Sequence, residues 1–216
     1  MAAGADCCTA PILRTVQVLA EGRASEILEL GNGRVLRRFK AGGNPTREAE
    51  IMEHAGAHGF PVPGVLEVRD DSLVLERVDG PTMLAEIWRR PWRMSGHARL
   101  LAELHHRLHE IPFGDGRLLH VDLHPDNVLL SSRGPVVIDW ANARAGNPAF
   151  DVAMTWVICA TSGGAFGRLF ARFFLRHVDL DAARAELPAA GEFRIADPNV
   201  TDAERERVRR LTRIAP

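Results

Sequence analysis

Asp122 stands five positions before Asn127, and Asp139 follows at the end of the β-branched run Val136-Val137-Ile138. The oxygens of aspartate and asparagine are hard ligands. They suit magnesium, which takes only one or two protein carboxylates and completes its shell with water and phosphate oxygens. If Asn127 and Asp139 serve a metal, Asp122 is left to orient a hydroxyl and accept its proton. The plain alternative is that all three are polar loop caps; their spacing and flanking context favour chemistry. The His120-Val121-Asp122-Leu123-His124 run also has the residue types of a zinc or two-metal hydrolase. That reading gives Asn127 and Asp139 no role.

The elements around these residues must bring them together. Val128-Leu129-Leu130, the turn Ser131-Ser132-Arg133-Gly134 and Val136-Val137-Ile138 read as a hairpin, which returns Asp139 to the side of Asn127. Upstream, residues 14–20, 26–30 and 34–39 are β-rich, and Gly31-Asn32-Gly33 is a hairpin turn between the last two. A helix is expected after Asn44-Pro45, with Thr46 as its cap and Ile51, Met52 and Ala55 as its apolar stripe. Strands are expected near 64–69 and 72–78. Asp79-Gly80-Pro81 reads as a linker. Beyond it the spacing turns helical, over 96–110, 149–160, 165–177 and 201–213, the last with a Thr201/Glu204 capping box. The expected fold is α+β: a β-rich N-terminal lobe, residues 1–79, and a mainly helical C-terminal lobe, residues 80–216.

The string His120-Val121-Asp122-Leu123-His124-Pro125-Asp126-Asn127, then Ile138-Asp139-Trp140, then Gly146-Asn147-Pro148-Ala149-Phe150-Asp151-Val152-Ala153, resembles the aminoglycoside phosphotransferase and choline kinase group, distant relatives of protein kinases. The resemblance implies a compact, two-lobed, protein-kinase-like enzyme that moves the γ-phosphate of ATP or GTP, with Mg²⁺, to a hydroxyl of a small molecule. It implies Asp122 as the base, Asn127 and Asp139 as metal ligands, and His120 packed beneath the loop. Asp151 would hold that loop structurally. In the N-terminal lobe Gly22, Ala24 and Ser25 fall where a phosphate-covering loop would be. Glu48 fits the helix glutamate that pairs with a strand lysine, with Glu50 as the alternative. Glu76 and Val78 fit the hinge that meets adenine. The strand lysine itself is replaced: Arg37 takes its place, and Lys40, the single lysine of the chain, lies on the other face of the strand. That departure, with the glycine-poor loop, sustains a second reading, a pseudokinase-type nucleotide-binding module acting through a partner.

Composition sets the outer bounds. The 216 residues are 46% hydrophobic and 25% charged, with a formal net charge of −1. No global positive field exists to hold nucleic acid, and no apolar run is long enough for a bilayer. Three cysteines, two of them adjacent, make no disulfide framework, and the first residues do not read as a signal peptide. A cytoplasmic monomer or weak homodimer is expected. Eight acidic against ten basic side chains after Asp151 argue against a strongly acidic acceptor site. His105, His106 and His109 have helical metal-ligand spacing but no third ligand in the sequence, so they read as ordinary helix residues. Trp88 and Trp92 read as a linker packed at the lobe junction, the Phe166, Phe170, Phe173 and Phe174 stripe as core, and the arginines of 205–210 as a solvated face.

Overall fold

The structure, a computed structural model, describes residues 17–21, 25–40 and 43–214. Gly22 and Ala24 therefore lie outside the described residues. Five antiparallel strands form the first sheet: β1 (Val18–Glu21), β2 (Ser25–Gly31), β3 (Arg34–Phe39), β4 (Val65–Val68) and β5 (Ser72–Glu76), in the order β1-β2-β3-β5-β4. Gly31, Asn32 and Gly33 all have positive φ (75°, 53° and 69°), which is why this turn is built of glycine and asparagine. Helix α1 (Pro45–Ala57) packs on the sheet with Ala49, Ile51, Met52 and Ala55 buried. Its cap is Asn44, whose side chain accepts from the Arg47 amide at 3.0 Å, not Thr46. Pro45 explains the shift: proline suits the first helical position, so the cap must precede it.

After β5 the chain crosses to a mainly helical part. Gly80 lies against β8 (Val128–Ser131), where Leu130 donates its amide to the Pro81 carbonyl at 2.9 Å. The Gly80 φ is 155°, and a Cβ there would sit 2.3 Å from the Leu130 oxygen. Helices α2 (Met83–Arg89) and α3 (Met94–His109) follow. The buried face of α3 is Met94, Ala98, Leu101, Ala102, Leu104, His105 and Leu108. Then come short strands β6 (Pro112–Phe113) and β7 (Gly116–Leu119), the hairpin of β8 with β9 (Gly134–Val137), and β10 (Arg144–Gly146) beside β7. Four helices complete the chain: α4 (Pro148–Ser162), α5 (Gly164–Phe174), α6 (Leu180–Ala196) and α7 (Asp202–Ile214).

Helix α6 has no counterpart among the sequence expectations. Pro188 sits inside it, exposed, while Ala183, Leu187, Ala190 and Gly191 are buried. Proline costs the helix a hydrogen bond, and burial of the opposite face outweighs it. At the start of α7 the Glu204 amide does bond the Thr201 hydroxyl, at 3.2 Å. The Glu204 carboxylate goes instead to Arg194 of α6 and Ser162 of α4, both at 2.8 Å. The arginines of α7 are not all solvated either. Arg205 and Arg207 bond the carbonyls of Ile195 and Thr161. One apolar core runs from β3 and β5 through α1 and α3 to α5, and a second joins α4, α6 and α7 to Leu119 and Val121. No helix among the described residues is long and apolar enough to cross a membrane.

Candidate active site

The loop between β7 and β8 is fixed from below by Asp151, at the first turn of α4. Its fully buried carboxylate accepts from the Val121 amide at 2.6 Å and the His120 amide at 3.2 Å. Those bonds hold Val121 at φ 71°, a conformation a β-branched residue avoids. Asp139 is held at φ 66°. The two strained residues adjoin or include the predicted chemical groups. His120 is buried under the loop. Its Nδ1 accepts from the Asp122 amide at 3.3 Å, so its Nε2 donates to the Ile138 carbonyl at 3.1 Å. Burial pushes this imidazole down from 6.5 to about 4, so it is neutral.

Asp122, Asn127 and Asp139 converge at one edge of a cleft. The Asn127 amide nitrogen donates to the Asp122 carbonyl at 2.9 Å and to its carboxylate at 3.3 Å. With its nitrogen so engaged, the Asn127 oxygen Oδ1 is the atom that could hold a cation. The Ile138 amide bonds the Asn127 carbonyl at 3.0 Å, closing the hairpin that the sequence predicts. Burial, with Asp139 nearby, raises the Asp122 carboxyl above its ordinary range, although His124 opposes this. Asp139 moves the other way: burial opposes its charge, but Arg37 outweighs burial and lowers it.

Arg37 on β3 is 5% exposed and bridges two carboxylates, Glu48 of α1 at 2.9 Å and Asp139 at 2.5 Å. Glu48 also accepts from the Trp140 amide at 3.2 Å, so α1 is tied to the Asp139 loop directly. Burial raises Glu48 from 4.5 to about 7, against the pull of Arg37. Glu50 is exposed, and Lys40 pairs with Glu21 at 2.9 Å away from this cluster. The other N-terminal candidates lie apart from it: Ser25 opens β2, and Glu76 and Val78 lie at and just beyond the end of β5. The Glu76 side chain turns to Arg133 at 2.7 Å.

The cleft encloses about 1050 Å³. Its wall is richer in acids than the stretch after Asp151, because three of its carboxylates come from before that residue. Asp122, Asp126, Asp139, Asp197 and Glu204 line it against one arginine, Arg194, which Glu204 and Asp197 already engage at 2.8 and 3.5 Å. Trp88 is also on the wall, 61% exposed and stacked on Phe166 at 4.1 Å between ring centroids. Trp92 is 75% exposed. Trp88 packs one face on Phe166 yet stays largely exposed, and Trp92 is exposed as well, so neither is buried at a junction. Phe170 and Phe174 are core as expected. Cys159 borders the cleft, but burial and Asp122 push its thiol up to about 12, so it offers no thiolate.

Residues 79–187, half of the chain, match the family described as "Phosphotransferase enzyme family", and the chain belongs to it. A probable serine/threonine-protein kinase BUD32 homolog of Archaeoglobus fulgidus is 31% identical over 121 residues, 56% of this chain and 53% of that protein. A thiamine kinase of Salmonella newport is 46% identical over 39 residues, 18% of this chain and 14% of its own. The chain thus spans about half the length of the first relative and a small part of the second. Among solved structures it is similar to a thermostable mutant of aminoglycoside phosphotransferase APH(4)-Ia in ternary complex with AMP-PNP and hygromycin B. There the TM-score is 0.71 at 17% identity, covering 93% of this chain and 94% of that one. A choline/ethanolamine kinase family protein from Mesorhizobium loti gives 0.61 at 16%, covering 95% and 89%. The α+β, protein-kinase-like fold expected from the sequence is the fold observed.

Proposed function

We propose that this protein transfers the γ-phosphoryl group of ATP or GTP to a hydroxyl of a small, amine-bearing molecule. The observation that carries the reading is the meeting of Asp122, Asn127 and Asp139 on the wall of one cleft, with the buried Arg37–Glu48 pair bonded to Asp139. The donor set Asn127 Oδ1 and the Asp139 carboxylate is all oxygen, which fits Mg²⁺. When bound there, Mg²⁺ would neutralise charge on the β- and γ-phosphates. Arg37, anchored on Glu48, presents a guanidinium suited to phosphate oxygens. Ser25, with Gly22 and Ala24, would cover the phosphates, and the backbone of Glu76 and Val78 would meet the base.

Asp122 orients the acceptor hydroxyl and takes its proton as the new O–P bond forms and the bond from Pγ to the bridging oxygen breaks, releasing the nucleoside diphosphate. A loose transition state asks little covalent help, so alignment and charge neutralisation supply most of the rate. The acceptor is read from the cleft wall. Five carboxylates outnumber the two arginines that engage three of them, Arg194 and Arg37, and with an exposed aromatic stack this excess favours a cationic alcohol over an anionic one. The similar proteins act on or bind molecules of that kind, thiamine and hygromycin B among them.

The Arg37–Asp139 contact favours one other reading, a nucleotide-binding module without turnover, because the arginine holds a residue the reaction needs. Thermal shift with Mg–ATP and Mg–GTP, followed by diphosphate release over choline, ethanolamine, thiamine and hygromycin B, separates the two. Acceptor-dependent release supports the kinase. Stabilisation by nucleotide with no release on any acceptor supports the module.

A further inference from the structure

His105 and His109, one turn apart on α3, meet Asp151 of α4 beneath the catalytic loop. Their ligand-capable atoms, with the Asp151 carboxylate, all lie within 4.8 Å of one another. The sequence spacing of the histidines lacked a third ligand, and the fold supplies it from another helix. The tautomer of His105 follows from its neighbours. The Thr155 hydroxyl lies 2.6 Å from the Leu123 carbonyl, which only accepts, so the hydroxyl proton goes there. The contact of 2.9 Å between Thr155 Oγ1 and His105 Nε2 must then be donated by the imidazole. That leaves Nδ1 of neutral His105 as a lone pair. It is fully buried, has no hydrogen-bond partner, and faces Asp151 Oδ2 at 3.5 Å. Two acceptors facing each other in a dry interior call for a cation between them.

The geometry points to a site for a transition-metal dication of the zinc class, with His105 Nδ1, His109 Nε2 and Asp151 Oδ2 as its three protein ligands and a fourth position for a water brought in with the metal. Tetrahedral zinc with bonds of about 2.0 Å places its ligands about 3.3 Å apart. The two histidine-to-carboxylate distances, 3.5 and 2.9 Å, bracket that value. The alternative cation is a second proton on His105, and 3.5 Å is long for a charge-assisted hydrogen bond. Burial lowers His105 as well, against its imidazolium. The outer contacts are those a zinc site uses: His105 gives its other N–H to Thr155, Asp151 Oδ1 holds the Val121 amide, and the ligating Oδ2 also accepts from the His120 amide at 3.2 Å. The metal would take the place of the His109 Nε2 proton, which moves to Nδ1. Arg144 is the nearby cation that the site must tolerate; burial lowers it, while Asp151 acts to raise it. A metal here would brace Asp151 and so the loop that carries Asp122. It is separate from the magnesium ligands proposed above and does not depend on that reading.

The test uses the full chain, stripped with chelator and titrated with Zn²⁺ against a chromogenic competitor, then with Co²⁺ by visible absorption. The expected result is one zinc per chain with affinity tighter than about 1 µM, and intense tetrahedral cobalt bands. His109→Gln, whose side chain is 10% exposed, should fold and bind at least about 100-fold more weakly. The double variant His54→Gln/His58→Gln, at a surface histidine pair, should bind as the native chain does. Absence of a site tighter than about 1 µM, or equal binding by His109→Gln, overturns the proposal. So does a metal-free ring ¹⁵N spectrum showing both nitrogens of His105 protonated.

Discussion

At the residue scale, the spacing of Asp122, Asn127 and Asp139 and the choice of Arg37 and Glu48 over Lys40 and Glu50 were legible because each rests on a short local pattern. The positive φ of Val121 and Asp139 was not. Any L-residue there is strained, and what imposes the strain, the Asp151 carboxylate, arrives from another element. Arg37 offsets two buried carboxylates, so Arg37→Met should cost about 3–5 kcal/mol in urea unfolding and raise the KM for Mg–ATP. Arg37→Lys should keep most of both. A native urea midpoint in Arg37→Met would contradict the bridge. Glu48 and His120 have opposite pH linkage. The raised Glu48 carboxyl favours the fold below 4.5, and that contribution is lost as pH rises through about 7. The depressed His120 favours the fold above 6.5, and its contribution is lost as pH falls through about 4. Each amounts to about 3 kcal/mol at most, so between these limits they largely cancel. Glu48→Gln removes one side, and its stability should fall more steeply on acidification than that of the native chain. Equal slopes in urea midpoints measured across that range would refute the assignment.

At the element scale, β2 to β5, the β8–β9 hairpin, the Gly31-Asn32-Gly33 turn and α1, α3, α4 and α5 could be read from periodicity and punctuation, whereas β6 and β10 were not expected and part of the expected strand 14–20 lies outside the described residues. Helix α6 could not, because Pro188 breaks the local pattern and only packing against α4 and α7 restores the helix. The Asn44 cap was missed by two residues, since proline moves the helix start forward. Gly80 reads in sequence as a linker, whereas a Cβ on it would fall 2.3 Å from the Leu130 carbonyl oxygen of β8. Gly80→Ala should destabilise by about 1–3 kcal/mol, because backbone must shift to admit a methyl group. An unchanged thermal midpoint would show that the crossing is slack.

At the scale of the whole molecule, the net charge after Asp151 misleads about the cleft. The α7 arginines are spent on carbonyls and on the outer surface, and the acids Asp197 and Glu204 face inward. Nothing in one-dimensional composition carries that sorting. A cleft that attracts cations should show it in salt: the KM of an amine-bearing acceptor should rise with ionic strength more than the KM of an uncharged one. Equal dependence would point to an acceptor recognised by shape alone. The proposed transfer depends on Asp122 as the proton acceptor. Its most direct test is acceptor-dependent diphosphate release by Asp122→Ala, with Mg–ATP binding measured on the same protein by calorimetry. Turnover should fall by a factor on the order of 10²–10⁴ with nucleotide affinity nearly native; turnover equal to that of the native chain would rule Asp122 out as the base.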